Sequence, residues 1–523
     1  MKTLKFMGKW NLDNQPIREA NSIELGDKYM KNILFIMGDQ HRWDCIGAYG
    51  NKILQTPYLD ALAQDGVKHT EHYTTYPVCT PARYSILSGL YTHQHMGWSN
   101  HCTLADGIET FPKILRKNGY KTAAIGKMHA TPTYLDMGFD KMILCEQDGD
   151  GRYDDDYHKY LKEQGLLDEN DLIDQRQEFR AKADEKYWDT CGAMKSNLDE
   201  KHHSTTWITN RALEEINSWG EGGNMMLVSY VKPHHPFDPP APYDTMYNSE
   251  EIEILPGYTE EVSDVDYEHG SGYFDHKNLT EDKLRQVTAH YYGSITHMDH
   301  HIGRLIEALK AKGLYEDTLI VYTSDHGEYL GFHHMLLKAN YMYDPLAKVP
   351  LIIKYPNNEY KGEINEQISC NIDLAPTFLT QANCQIPWTM KGLNLSNQEV
   401  GREMTICEGL RVDMCNGVLE RYYEYMVRSK DYKLIISKNF NHYRFFDLKK
   451  DPYELNDVAA DLQYKEEIER HKAFLAQTMT FDALTPIYLN EEEKVFIEDK
   501  KPDLDKRREV EEYFKLKVPY EKE

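Results

Sequence analysis

Long hydrophobic runs are missing from this chain. No stretch of its 523 residues approaches the roughly 18 apolar residues that cross a bilayer. Residues 1–31, MKTLKFMGKWNLDNQPIREANSIELGDKYMK, lack the apolar core of a secretory leader. As it stands the sequence therefore reads as soluble and cytoplasmic, and as periplasmic or secreted only if a leader was removed. Positive charge is also scarce, with 60 Lys and Arg against 85 Asp and Glu, a net −25. That balance argues against nucleic acid and anionic membrane as partners. It also demands a local cluster of cations or metal if the substrate is an anion. The nine cysteines include no CxxC pair, which excludes a zinc knuckle or a thioredoxin-like motif. As a class they read as buried reduced thiols. No internal repeat or low-complexity tract is present.

What is present is ordinary globular material, 41% hydrophobic and 28% charged, in a chain too long for one compact core. The 38 tyrosines are unusual. Many suit the rim of a core with the phenol in water, and a few suit a polar ligand site. Ile33–Met37 is a short, wholly apolar segment of the kind that forms a buried parallel strand. Further strands are expected at Thr122–Ile125, Met225–Val231, Thr318–Thr323 and Val349–Lys354. Helices are expected at Tyr58–Gly66, Pro81–Ser88, Phe111–Asn118 and Glu281–Lys312. This alternation predicts a doubly wound α/β domain. Near residue 400 short strands take over (Tyr425–Arg428, Tyr432–Ser437, Tyr443–Leu448), followed by an amphipathic helix at Lys465–Met479. The expected division is a surface extension (1–30), an α/β catalytic domain (31–400), a small α+β domain (401–490) and a charged tail (491–523), either a surface helix or partly disordered.

Ligands of an open α/β sheet bind beyond the carboxyl ends of its strands. Here the strands are followed by Asp39-Gln40, by Lys127-Met128-His129, by Lys232-Pro233-His234-His235 and by Ser324-Asp325-His326. Singly, Asp39 reads as a turn residue, His129 as a hydrogen-bonded histidine, Lys127 as a solvated charge. Four such sets on one predicted sheet edge read as a site. Cys79-Thr80-Pro81-Ala82-Arg83 adds a cysteine at a helix mouth, with Thr80 as the expected N-cap and Pro81 as the first helical residue. The helix dipole there favours negative charge, and Arg83 comes one turn later on the same face. Taken alone this describes a cysteine nucleophile of lowered pKa or a buried thiol beside a capped helix.

Cys79-Thr80-Pro81-Ala82-Arg83 resembles the C-x-P-x-R signature of the sulfatase family, and Tyr84–His93 resembles the helix that continues it. Gly126-Lys127-Met128-His129, Pro233-His234, Ser324-Asp325-His326-Gly327-Glu328 and Lys338 follow in family order, so the likeness runs from residue 32 to about 460. The resemblance implies an alkaline-phosphatase-like fold: a large mixed sheet flanked by helices, with a smaller C-terminal antiparallel sheet plus helix. It implies that a formylglycine-generating enzyme oxidises Cys79 to formylglycine. One hydroxyl of the aldehyde hydrate attacks sulfur and the other then expels sulfate, an exit that a thiolate would lack.

By the same resemblance Asp39, Gln40, Cys79, Asp325 and His326 would hold one divalent cation. Arg83 would hold the diol and His129 would be the base. Lys127, His234 and Lys338 would bind sulfate, with His234 or Lys338 protonating the leaving oxygen. Calcium or magnesium is the family default. Gln40 and His326 stand where many members have Asp and Asn, which raises manganese or zinc. That departure also resembles phosphonate monoester and phosphodiester hydrolases of the superfamily, the alternative reading, and some choline- and carbohydrate-sulfatases. The expected substrate is a small sulfated saccharide. His93, His95, Trp98, Asn100 and His101 are candidate pocket residues, although each also suits ordinary packing.

Overall fold

The computed structural model describes residues 30–481, except 101, 106, 147–154, 167–182, 184, 221, 270–272, 275–278, 339–340 and 416–417. The expected extension up to residue 29, the tail 491–523 and His101 lie outside the described residues.

The first strand explains the main sheet. β1 (Asn32–Asp39) is buried along its whole length. Its side chains alternate between two cores, as a period of two requires. Ile33, Phe35 and Met37 point into one, Leu34 and Ile36 into the other. A strand covered on both faces has no use for polar residues, hence the unbroken apolar run.

The remaining strands are β2 (Val67–His69), β3 (His72–Tyr73), β4 (Lys121–Gly126), β5 (Lys141–Leu144), β6 (Asn224–Pro233), β7 (Thr318–Ser324), β8 (Leu351–Lys354), β9 (Glu363–Asn365), β10 (Ser369–Cys370), β11 (Met404–Cys415), β12 (Val418–Ser429), β13 (Tyr432–Ser437) and β14 (Tyr443–Asp447). Eight of them form the main sheet in the order β5-β4-β6-β1-β7-β8-β2-β9. β1 runs parallel to both β6 and β7, and β4 parallel to β5 and β6. β8 runs antiparallel to β7 and β2, so the sheet is mixed.

Helices cover both faces. α1 (Pro57–Asp65), α2 (Cys79–Ser88), α3 (Phe111–Lys117), α4 (Ser204–Ser218), α5 (Glu281–Ala311) and α6 (Leu374–Gln381) lie around the sheet. α2, α3 and α6 supply Ile86, Leu115 and Phe378 to the Phe35 side. α1, α4 and α5 supply Leu59, Ile208 and Ile302 to the Leu34 side. The Phe35 and Phe378 rings lie 5.0 Å apart. Truncating such a buried ring costs about 3–5 kcal/mol.

β11 to β14 form a four-stranded antiparallel meander, followed by α7 (Lys465–Phe481). Its core is continuous with Tyr73, Tyr329 and Met342 of the main body. The sequence shows β13 in full, but β11 is not apparent in it. Met404–Gly409 (MTICEG) mixes apolar and polar residues, and Cys407 interrupts its alternation. Short β5, β2 and β9 are likewise invisible to periodicity, and the predicted Val349 precedes its strand.

Helix α2 starts earlier than expected. Cys79 is its first residue, behind an extended Val78, and Thr80 is not its cap. The Thr80 hydroxyl instead donates to the His129 carbonyl (2.7 Å), and the Thr80 N–H donates to Asn100 Oδ1 (3.1 Å). Pro81 fits inside the first turn because that turn's N–H groups have no intrahelical acceptor. No helix among the described residues is long and apolar enough to cross a membrane.

Candidate active site

Register places the strand ends side by side. Asp39 of β1 is level with Pro233 of β6, Gly38 with Ser324 of β7, and Gly126 of β4 with Ser229 of β6. The residues just beyond these ends therefore meet at the crevice where connections leave β1 in opposite directions. Gly126 makes one exit possible. Its φ is +103°, and a Cβ there would stand 2.0 Å from the Ser229 carbonyl oxygen.

At the mouth of α2 the Cys79 sulfur is buried. It lies 2.9 Å from Lys338 Nζ, 3.2 Å from His326 Nε2, 3.8 Å from Asp39 Oδ1 and 4.0 Å from Lys127 Nζ. Burial and Asp39 push its thiol up, but Lys127, Lys338 and His326 bring it down to about 6. The thiolate is thus the stable form at neutral pH.

Arg83 is the frame of the site. Its Nε donates to Asp325 Oδ2 (2.8 Å) and its Nη2 to Asp39 Oδ2 (2.9 Å). Its Nη1 donates to the Lys127 carbonyl (2.6 Å) and Ser229 Oγ (2.8 Å). All three guanidinium nitrogens are spent orienting the two carboxylates and the β4 and β6 ends. Lys127 Nζ adds a 2.6 Å ion pair to Asp39 Oδ2. Burial would raise the Asp39 carboxyl, yet Lys127, Lys338 and Arg83 hold it well below the usual range. Burial and Asp39 together raise Asp325, against the pull of Arg83. A divalent cation would offset that carboxylate repulsion.

The donor set fits such a cation. Asp39, Cys79, Asp325 and His326 each offer a ligand atom, all within 4.8 Å of one another. His326 Nδ1 lies 2.9 Å from the Gly327 carbonyl, so that nitrogen carries a proton and Nε2 is the one that faces the cluster. Gln40 Nε2 donates to Glu328 Oε2, which fixes the amide, and Gln40 Oε1 is buried with no hydrogen-bond partner.

Lys338 and His234 close the opposite side. Lys338 Nζ stands 2.8 Å from His234 Nε2, and His234 Nδ1 stands 2.6 Å from the His235 carbonyl. Burial, then neighbouring Lys338, holds the His234 imidazole well below its usual pKa, so it is neutral.

Asp39, Gln40, Cys79, Arg83, Lys127, His234, Asp325, His326 and Lys338 thus come together as one network. His129 joins through its backbone, its carbonyl on Thr80 and its N–H on Glu146 (3.0 Å). The rim residues part ways. His93 is held by Glu408 of β11 at its N–H (3.1 Å) and its Nδ1 (2.9 Å). Trp98 packs on Tyr423 of β12 at 4.7 Å between ring centroids. Asn100 spends its side-chain oxygen on Thr80. His95 is buried and bonded to Ser85 Oγ (2.9 Å), and burial lowers its imidazole to about 3; it packs in the core, not in a pocket.

Glu146 and Ser229 had no clear sequence signal, and Glu328 closes the Ser324–Glu328 motif with no role assigned to it there. Glu146 accepts the N–H groups of Met128 and His129, and burial raises its carboxyl to about 7. It sits two residues beyond β5, so the strand-end rule would have found it had β5 been recognised. Glu328 accepts from Gln40 and from the Leu330 N–H (2.9 Å), tying a metal-side amide to the loop that leads to Lys338. Ser229 has no signal at all, since it lies inside an apolar strand.

Comparison with known proteins agrees with this architecture. The sulfatase family model matches residues 31–384, and a model of the N-sulphoglucosamine sulphohydrolase C-terminal region matches residues 331–480. The chain is 31% identical to an arylsulfatase of Clostridium perfringens over 86% of this chain and 94% of that one. It is 27% identical to an N-acetylglucosamine-6-O-sulfatase of Bacteroides thetaiotaomicron over 86% of both. Its fold resembles the phosphonate monoester hydrolase of Agrobacterium radiobacter, with TM-score 0.73, 23% identity and coverage of 89% of this chain and 99% of that one. With a family model covering most of the chain and a cysteine, carboxylate and cation cluster at the sheet edge, the chain belongs to the sulfatase family and is a sulfuric ester hydrolase.

Proposed function

We propose that the enzyme hydrolyses the sulfate ester of a small saccharide, with position 79 oxidised to formylglycine and one divalent cation held by Asp39, Gln40, Asp325 and His326 beside it. The observation that carries this reading is the Cys79 sulfur at a helix mouth, ringed by two carboxylates, an imidazole facing it through Nε2, and Lys127 and Lys338. When present, the cation and the aldehyde hydrate supply a polarised sulfate oxygen and a hydroxyl nucleophile of lowered pKa.

The protein's own residues do the rest. Arg83 holds both carboxylates at fixed spacing. Lys127 and Lys338 bring two positive charges to the sulfate oxygens and offset the molecule's net negative field there. Lys338 donates the proton to the leaving sugar oxygen, because neutral His234 accepts from it. His129, its backbone held by Glu146 and Thr80, takes the proton that releases sulfate. The saccharide reading is supported by the aromatic rim of Trp98 and half-exposed Tyr423, a surface on which a sugar face packs. It is also supported by the relative named as an N-acetylglucosamine-6-O-sulfatase. The Gln40 and His326 pattern keeps a phosphonate monoester or phosphodiester hydrolase as the second reading.

Paired turnover of an aryl sulfate, an aryl phosphonate and a panel of sulfated mono- and disaccharides decides between them. Sulfate turnover is expected to be faster, and faster phosphonate turnover reverses the ranking. Cys79→Ala is expected to lower kcat by roughly a thousandfold or more with the fold retained. Mass spectrometry of the Cys79 peptide is expected to show an aldehyde in active enzyme. Wild-type turnover by Cys79→Ala would end the proposal.

A further inference from the structure

A second group of metal-binding side chains lies on the α4–α5 side of the sheet and shares no residue with the Cys79 cluster. Glu200 stands on a one-turn segment (Glu200–His202), Thr206 in the first turn of α4, and His297 and His301 on α5. The two histidines are four residues apart, so they share a helix face.

The four atoms Glu200 Oε1, Thr206 Oγ1, His297 Nε2 and His301 Nε2 are all mutual neighbours. Glu200 lies 3.3 Å from His297 and 2.9 Å from His301, which are 3.1 Å from each other. Thr206 lies 2.7 Å from Glu200, 3.3 Å from His297 and 3.1 Å from His301. Four points with six such separations are the corners of a nearly regular tetrahedron. Its centre is about 1.9 Å from each corner, close to the ~2.0–2.1 Å of zinc–imidazole and zinc–carboxylate bonds. A hydrogen-bond chain accounts for some of these contacts. It does not by itself call for two imidazole nitrogens converging on one carboxylate oxygen and one hydroxyl.

Burial and charge suit the same ion. His297, His301 and Thr206 are buried, while the Glu200 side chain is 37% exposed and leaves a path from solvent. The His297 ring is held between those of Tyr243 (4.6 Å) and His203 (5.1 Å). Two imidazoles select a transition metal over calcium or magnesium.

We propose that Glu200, Thr206, His297 and His301 form a structural site for a zinc-like divalent cation, which clamps the Glu200 turn and α4 onto α5. Three side chains are strong ligands, and the Thr206 hydroxyl takes the corner that water takes in open sites. One group stands in competition. Arg304 Nη1 lies 3.0 Å from His301 Nδ1, the nitrogen that carries the proton once Nε2 binds metal. Arg304 is exposed and also bonded to Asn210 Oδ1 (2.8 Å), so it turns away toward solvent when the site fills.

The test uses the full chain, stripped with a chelator and dialysed against Zn2+ or Co2+. Wild type is expected to retain one equivalent more metal than His301→Gln or Glu200→Gln, and to show the visible bands of tetrahedral Co2+ that both variants lose. Zn2+ is expected to raise the Tm of wild type by several degrees more than that of the variants. Arg304→Ala is expected to retain zinc at least as tightly as wild type. If His301→Gln does not fold, Glu200→Gln at its partly exposed turn decides. Equal metal content and equal Co2+ spectra in wild type and Glu200→Gln would overturn the site and leave a plain hydrogen-bond network.

Discussion

Lys338 and His234 form a pair with one mobile proton. His234 Nδ1 faces the His235 carbonyl, and its Nε2 faces the Lys338 ammonium at 2.8 Å. In the proposed reaction the proton for the leaving group therefore comes from Lys338. This sets a test at the residue scale. Lys338→Ala is expected to slow sulfates with poor leaving groups, alkyl or sugar, by about 10²–10⁴-fold. Activated aryl sulfates, which leave without protonation, are expected to lose much less. His234→Ala is expected to show a weaker leaving-group dependence. Equal losses on both substrate types by Lys338→Ala would assign Lys338 to sulfate binding alone.

Among the elements, α1 depends on a residue far away in sequence. Thr56, in the capping position, caps no N–H of the helix, and its hydroxyl donates to the Asp60 side chain (3.1 Å). Instead Asp299 of α5 accepts the N–H groups of Tyr58 (3.1 Å) and Leu59 (2.8 Å). Burial raises the Asp299 carboxyl from 3.8 to about 7 against those two donors. A carboxyl whose folded pKa is raised adds stability below its unfolded pKa and loses it as pH rises through the folded value. Wild-type stability is thus expected to fall between about pH 4 and 7 by on the order of 2–4 kcal/mol from this group. At pH 4 the neutral carboxyl and an amide each offer one carbonyl acceptor, so Asp299→Asn is expected to cost about 1 kcal/mol or less there. Its Tm relative to wild type is expected to climb as pH rises to 8. A flat difference across that range, followed by thermal denaturation, would remove Asp299 as the titrating group.

Across the whole molecule, the C-terminal sheet reaches the rim of the site. Glu408 of β11 grips His93 just after α2, and Tyr423 of β12 packs on Trp98. The small sheet therefore positions rim residues and leaves the reacting atoms to the large one. Glu408→Ala is expected to lower kcat/KM for a sulfated saccharide by about tenfold, or about 1.4 kcal/mol. Turnover of a small aryl sulfate, which does not extend to the rim, is expected to stay within about twofold. A parallel loss on both would mean that Glu408 supports the catalytic network itself.

The sequence by itself determined the chemistry of the strand ends. β1, β4, β6 and β7 announce themselves as apolar runs, and Asp39, Lys127, His234 and Asp325 follow them at once, so residue type and position needed no coordinates. Only the tertiary structure decided how these groups share their bonds. Arg83 faces two carboxylates and not solvent, Thr80 bonds to Asn100 and His129 in place of capping α2, and Glu146 and Ser229 enter through strands or loops with no pattern of their own. The physical reason is range. Periodicity and capping signals are carried within a few residues, whereas a hydrogen bond between residues tens to hundreds of positions apart depends on the register of strands that meet only when the sheet closes.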